Sequence, residues 1–369
     1  MPGRVPLGRR NLFADGRRLA ASIVAVGLAV MLMLLLAGFD TGVRVRSTLL
    51  EDRLGADLYV VQPGSNDLQG DVSVVPISDV NLVRADPGVA WAAPLRALYV
   101  MVDLRGLKQP VYLLGAIPGQ RGGPWRMSRG RTPRSDDEIV ISPVLAHRYG
   151  LHIGGTLPLM GRTFRIVGYA ADASGFMFTF AYVTHAATDA LLASPGTTSV
   201  VLIGTRPGQT RAVTARLQAR GLNVATRDEL AATDRRLLTG IFGSFLALTV
   251  VIAFAAGVAI VSLTVYTSVV ERRREYGIVK AIGATPARLV AIVVGQTLVL
   301  TLLGLAAGWL LFLAGRVLVL WYRPQFAIIA TRDSVGFAAL AALAMAVLAA
   351  LVPARRLSAL DPATAYRGG

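Results

Sequence analysis

The stretch ERRREYGIVKAIGATPARLV, residues 271–290, stands between two long apolar runs. Five consecutive charged residues, Glu271, Arg272, Arg273, Arg274 and Glu275, open it. Arginines at a membrane exit stop a span and meet lipid phosphates, which accounts for the three of them. The residues that follow need another reason. Helical spacing aligns Tyr276, Val279 and Gly283, and likewise Ile278 and Ile282. Gly283 is placed to end a helix in the left-handed conformation. Thr285 then suits a helix N-cap and Pro286 the first helical position. The pattern is a short helix, a stop and a fresh start. The apolar face of that short helix, Ile278, Val279 and Ile282, needs a cover, either lipid or a groove on a second protein.

On either side the chain reads as membrane-spanning. It is 54% hydrophobic and 16% charged, with mean hydropathy +0.55, whereas soluble domains carry about 25% charged residues. Four windows, 19–38, 241–265, 290–313 and 335–351, hold no Asp, Glu, Lys, Arg or His. A bilayer crossing takes roughly 20 such residues. The first window follows the basic RRNLFADGRR and exceeds the roughly 7–15 apolar residues of a cleaved signal. No A-x-A site follows it, so it is expected to be retained. The net charge of +16 comes almost wholly from arginine, with only Lys108 and Lys280. The basic clusters flank the spans, as topology signals do, so no nucleic-acid partner is expected. Arg9, Arg10, Arg17 and Arg18, then the 271–288 segment, then Arg355, Arg356 and Arg367 fall on one side of a four-span layout. The positive-inside rule makes that side the cytoplasm, with both termini. Arg316, Arg323 and Arg332, expected in a loop on the other side, run against the rule.

Residues 39–238 then form an extracytoplasmic domain. ADLYVV reads as a strand. SDVNLVRADPGV reads as a helix capped by Ser78 and stopped at Pro87-Gly88. From Val89 to Tyr169 the chain is short β-runs parted by turns such as PGQRGGP. THAATDALLA and GQTRAVTARLQARG read as helices, SVVLIGT and LNVAT as strands. Flanks of α and β around a β-rich middle suggest a split domain with a second lobe inserted. RDELAATDRRLLTGIFGSF carries no proline, and its first glycine is Gly240. One helix is therefore expected to run from the domain into the second span.

Catalytic patterns are missing. No G-x-x-x-x-G-K-[ST], H-E-x-x-H or G-x-S-x-G occurs, and His147, His152 and His185 lack zinc-ligand spacing. The absence of cysteine excludes disulfides and thiolate metal sites. No catalytic residue, metal or cofactor is expected, and the chain is not expected to be an enzyme. Asp136, Asp137 and Glu138 read as a solvated turn before a strand, and GFMFTF (175–180) as a core strand in preference to an exposed apolar loop touching lipid or a hydrophobic cargo. Small residues four apart, Ala253 with Gly257 and Gly304 with Gly308, are candidate helix-packing faces.

The 271–290 segment resembles the signature of the MacB/FtsX superfamily of ABC-transporter permeases, E-R-R-x-E-I-G-I-[LM]-[KR]-A-[LI]-G-A, with Tyr276 in place of an isoleucine. PARRLSALDPATAYR, with Pro353, Ala354, Asp361, Pro362, Ala365 and Arg367, is similar to that superfamily's closing motif. The start RRNLFADGRRLAASIVAVGLAVML with GADLYVVQPGS is similar to the DevC/HrtB exporters. The resemblance implies an α-helical membrane protein with four transmembrane helices and an α+β two-lobed extracytoplasmic domain between the first and second. Its expected divisions are a cytoplasmic N-terminus (1–18), a span (19–38), a MacB-like domain (39–238) and an FtsX-like permease domain (239–369). It implies a permease homodimer in a bacterial inner membrane, bound to two copies of a separate P-loop ATPase. Glu271, Arg272, Arg273, Arg274, Glu275, Ile278, Lys280, Ile282 and Gly283 would form the coupling helix, about 271–283. Two roles are compatible with it. One is an exporter that extrudes a hydrophobic or amphipathic substrate. The other is an FtsX-like regulator that passes ATPase motion to an outside partner such as a cell-wall hydrolase.

Overall fold

The computed structural model describes residues 16–65, 67–70, 73–175, 178–271, 278, 284–322 and 326–358. Helix α1 (Gly16–Arg46) is followed by the short α2 (Leu49–Leu54). The strands of the next domain are β1 (Leu58–Val60), β2 (Val75–Pro76), β3 (Val89–Leu104), β4 (Leu107–Ala116), β5 (Met127–Gly130), β6 (Glu138–Ile141), β7 (Thr156–Leu159), β8 (Arg162–Ala170), β9 (Thr179–Thr184), β10 (Thr197–Thr198), β11 (Val200–Thr205) and β12 (Val224–Thr226). Its helices are α3 (Ser78–Arg84), α4 (Pro143–Tyr149), α5 (His185–Leu192) and α6 (Thr210–Ala219). Three long helices follow among the described residues: α7 (Arg227–Glu271), α8 (Pro286–Tyr322) and α9 (Arg332–Ser358). Two compact units result, one of residues 1–41, 242–322 and 328–369, the other of 42–241 with 323–327.

In the helical unit, four stretches are long and apolar enough to cross a membrane: Leu19–Arg46, Gly243–Glu271, Ala287–Tyr322 and Arg332–Leu351. Val30, Met33, Phe312 and Met345 are buried between helices, while Phe245, Leu310 and Trp321 point outward. A helix apolar on its outer face as well as its inner one suits lipid rather than water. α8 begins at Pro286, and the amides of Arg288 and Leu289 donate to the Thr285 carbonyl. Arg316 lies inside α8, not in the loop expected after a charge-free window. The helix runs on to Tyr322, two residues before Pro324, because a single arginine does not break helical backbone.

The second unit is built on one ten-stranded sheet in the order β12-β1-β11-β3-β4-β9-β6-β8-β5, with β7 beside β8. Strand β3 has 16 residues. Its first part, from Val89 to Leu95, pairs with β11, and Leu95 to Leu104 pairs with β4. One strand thus belongs to both lobes. Successive residues alternate between faces. Leu58, Val60 and Ile203 pack with Val83, Val213 and Leu217 of α3 and α6. Leu113, Ile139 and Phe164 pack with Leu145, Tyr149 and Ala187 of α4 and α5. The other face carries a shared core that includes Tyr59, Leu95, Tyr112, Phe180 and Tyr182. Of the expected core strand 175–180, only Thr179 and Phe180 lie in β9; Phe178 is buried but precedes the strand, and 176–177 lie outside the described residues. Ser78 is the first residue of α3 rather than its cap. Ile77 holds the cap position, with no side-chain hydrogen bond.

Glu138 is not solvated: its side chain is 2% exposed. Both its oxygens accept from Arg131, Arg165 Nη2 donates at 2.7 Å, and the Arg134 amide donates at 3.0 Å. The Arg131 guanidinium, with that amide, holds the carboxyl down at about 2. A carboxylate held low in the folded state contributes stability above its ordinary value of 4.5, lost as pH falls toward about 2. Both arginines are partly exposed, so solvent screens the pairing and it contributes less than a fully buried pair. Glu138→Gln should lower the melting temperature by about 4–8 °C at neutral pH. Thermal scans at decreasing pH should show the gap to wild type closing over that acid window. A gap that stays constant would contradict the ionic origin.

Candidate functional site

The segment between α7 and α8 lies mostly outside the described residues. α7 starts with a reciprocal cap. The Thr226 amide donates to Glu229 Oε2 at 2.8 Å, and the Glu229 amide donates to Thr226 Oγ1 at 3.3 Å. From there α7 is a single helix of 45 residues, roughly 67 Å at the usual rise. It ends at the exposed Glu271. Ile278 is helical and 42% exposed, a branched apolar side chain facing outward. Arg272, Arg273, Arg274, Glu275, Lys280, Ile282 and Gly283 lie outside the described residues. After them Ala284 is half-buried, Thr285 exposed, and Leu289 and Val293 sit in the helical core.

The small residues singled out by spacing occupy close helix contacts. A Cβ on Gly308 would stand 2.7 Å from the Val30 Cβ and 2.9 Å from the Gly27 carbonyl oxygen. A Cβ on Gly304 would strike Val26. Both glycines of α8 therefore lie against α1, and a Cβ on Gly27 would stand 3.3 Å from the Ala307 Cβ and from the Gly308 amide nitrogen. A Cβ on Gly257 of α7 would strike the Met345 sulfur of α9 and stand 3.2 Å from the Ala29 Cβ of α1. Ala253, one turn earlier, is buried. Sequence reasoning missed Gly27, whose only signal is a lone glycine in an apolar run.

A buried acidic pair was also missed. Glu51 on α2 is 0% exposed and Asp234 on α7 is 1% exposed. The two carboxyls are hydrogen-bonding partners of each other, which requires a proton on one of them. Asp234 Oδ2 accepts from the Leu68 amide at 3.4 Å, and Tyr59 donates to the Glu51 carbonyl at 3.3 Å. Burial pushes the Glu51 carboxyl up to about 10, and the neighbouring Asp234 carboxyl adds to it. Asp234 is itself raised, chiefly by burial. A signal existed in LLEDRL: Leu50, Glu51 and Leu54 share the buried side of α2, while Asp52 and Arg53 face out. Among the described residues no group of three or more His, Cys, Asp and Glu is placed to hold a metal.

Comparisons with known proteins place this arrangement. The MacB-like periplasmic core domain family matches residues 19–220, and the FtsX-like permease C-terminal family matches residues 238–362. An uncharacterized ABC transporter permease of Mycobacterium tuberculosis is 29% identical over 95% of this chain and 96% of its own. Another, of Mycobacterium bovis, is 30% identical over 95% of this chain and 96% of its own. Among solved structures, the extracellular domain of the noncanonic ABC-type transporter YknZ from Gram-positive bacteria matches 47% of this chain and 99% of its own, with 15% identity and TM-score 0.37. The periplasmic region of MacB from Actinobacillus actinomycetemcomitans matches 48% and 90%, with 12% identity and TM-score 0.36.

Proposed function

Because the chain belongs to the MacB/FtsX family of ABC transporter permeases, we propose that it is the membrane subunit of an exporter driven by a separate ATPase. The permease is a homodimer in the inner membrane, with two copies of the ATPase on its cytoplasmic side and both termini there. The coupling helix, Glu271 to Gly283, seats its apolar residues Ile278 and Ile282 in a groove on the ATPase. Glu275 and Lys280 make the polar contacts at the rim. ATP-driven closure of the ATPases displaces α7, and the extracytoplasmic domain expels a hydrophobic or amphipathic substrate on the outer side. The observation that carries this reading is the outward-facing Ile278 between the end of α7 and the proline-started α8. An exposed branched apolar side chain in a charged segment gains from a partner's cover. The given sequence holds no nucleotide-binding P-loop, which is in keeping with ATP hydrolysis by a partner subunit.

The test is co-purification of the permease with its ATPase, together with coupled ATP hydrolysis. Ile278→Asp and Glu275→Arg, each in correctly inserted protein, should lose the complex or cut coupled activity at least about tenfold, as loss of a central interface contact does. If both variants retain wild-type coupling, the docking assignment fails. A complex that forms normally but activates an outside hydrolase, without moving any compound, would replace export by signalling.

A further inference from the structure

The extracytoplasmic domain holds a cavity of about 380 Å3, within the range of small-molecule sites. Its walls are the end of α2, the end of β4 and the loop of residues 117–125. The sequence of that loop is IPGQRGGPW. Gly119 and Gly122 take positive φ, 82° and 100°, which curves the backbone around the opening. The floor is apolar, made by Leu54, Ala116 and Val183, which are all buried. Trp125 forms one side. Its indole N–H is already used, donating to the Ala171 carbonyl at 3.1 Å, and its ring packs edge-on against Phe180 and Tyr182. What Trp125 offers the cavity is therefore ring surface, not a donor.

The polar side chains that line the cavity are two arginines with Gln120 and Thr132, so its charge is cationic. Arg53 and Arg121 line it, and no carboxylate is among the lining residues. The Arg121 guanidinium lies over the Trp91 ring, 5.5 Å from its centre, which fixes the charge in place without neutralising it. Arg53 reaches Asp172 only at 3.6 Å, and that aspartate is already engaged by Arg126 at 2.8 Å. Two guanidinium groups beside an apolar floor are complementary to a ligand with an anionic head and an apolar body. A bare inorganic anion would leave the floor uncovered, and a neutral hydrocarbon would leave the charges unmatched.

We propose that this cavity binds an anionic amphiphile, with a phosphate or carboxylate head between Arg53 and Arg121 and its apolar part on Leu54, Ile117 and Trp125. Binding needs no ATPase and stands whether or not the coupling assignment holds. The test uses the full chain in phosphatidylcholine nanodiscs, titrated with octyl phosphate and followed by calorimetry and tryptophan fluorescence, with empty discs subtracted. Octyl phosphate should bind, while octanol and inorganic phosphate bind at least about tenfold more weakly, since each lacks one half of the recognition. Arg53→Gln and Arg121→Gln should each weaken octyl phosphate about tenfold, with the melting temperature of the domain unchanged because both side chains are solvent-facing. Weaker apparent binding in phosphatidylglycerol discs identifies a bilayer lipid as the competing ligand; equal binding in both discs identifies a free amphiphile. Octanol binding as tightly as octyl phosphate would overturn the proposal. So would wild-type affinity in both arginine variants, with their folding verified by circular dichroism.

Discussion

Gly308→Leu should lower the unfolding temperature of the detergent-solubilised permease by roughly 6–12 °C, corresponding to about 3 kcal/mol. The cost comes from backbone proximity. At position 308 even a Cβ would stand 2.9 Å from the Gly27 carbonyl oxygen, an atom of the α1 backbone that no rotamer change can move aside. Leucine adds three further carbons in the same space. The helices then separate, and the dispersion contacts that hold spans together in lipid are lost along the seam. Gly27→Leu should cost as much, and the double variant less than the sum, because the two residues share one contact. Gly295→Leu is the control. It lies on the same helix in open space, with no atom within 4 Å of an added Cβ. It should shift the melting temperature by no more than about 2 °C. Equal losses at 295 and 308 would mean that helix propensity or expression, not the α1 contact, sets the result.

The second large effect is a gain. Glu51 is buried and kept protonated far above its ordinary value of 4.5. Below 4.5 the folded and unfolded chains both hold that proton and the group adds no pH dependence. As pH rises above 4.5 the unfolded chain releases its proton and the folded one does not, so stability falls until the raised folded value of about 10 is reached. Glu51→Gln keeps the shape and a hydrogen-bond donor toward Asp234 but removes the ionisation. At pH 8 the variant should therefore melt higher than wild type, by about 4–8 °C if some 2 kcal/mol of desolvation is relieved. The two curves should converge toward pH 4.5. A variant that is less stable at pH 8 would show that Glu51 has a cationic or donor partner. The direction is opposite to that of Glu138, although both carboxyls are buried. Glu138 has two guanidinium groups around it and Glu51 has another carboxyl.

The legible parts of the chain were those written in local chemistry. Charge-free runs marked the spans, Thr285-Pro286 marked the start of α8, and alternation marked β4 and β11. The two-lobed domain was visible as β-runs framed by helical flanks. Arg316 was misplaced because a charge ends an apolar window without ending a helix. Glu138 was misread because its arginine partners stand 7 residues before and 27 residues after it. Nothing near SDDEIV announces them. The Glu51–Asp234 pair is the extreme case, joining positions at opposite ends of the domain. Gly27 was hidden for a related reason, since its partner glycines lie on a helix more than two hundred residues later. The cavity depends on tertiary convergence of α2, the end of β4, β9 and the 117–125 loop. The sequence offered only the turn glycines of that loop and isolated arginines.

The sheet order also sets a schedule for synthesis. β1 pairs on both sides, but only with β11 and β12. Its neighbours therefore leave the ribosome more than a hundred residues after it does, about 10–30 s later at usual elongation rates. The middle lobe, whose strands β4 to β9 pair among themselves and with β3, can close in the meantime. The lobe containing β1 cannot. Its edges stay open, with α1 already made, until the last residues before α7 have been translated. The nascent chain is thus most exposed to misfolding and to proteases in that interval, and a holding chaperone would have its longest opportunity there.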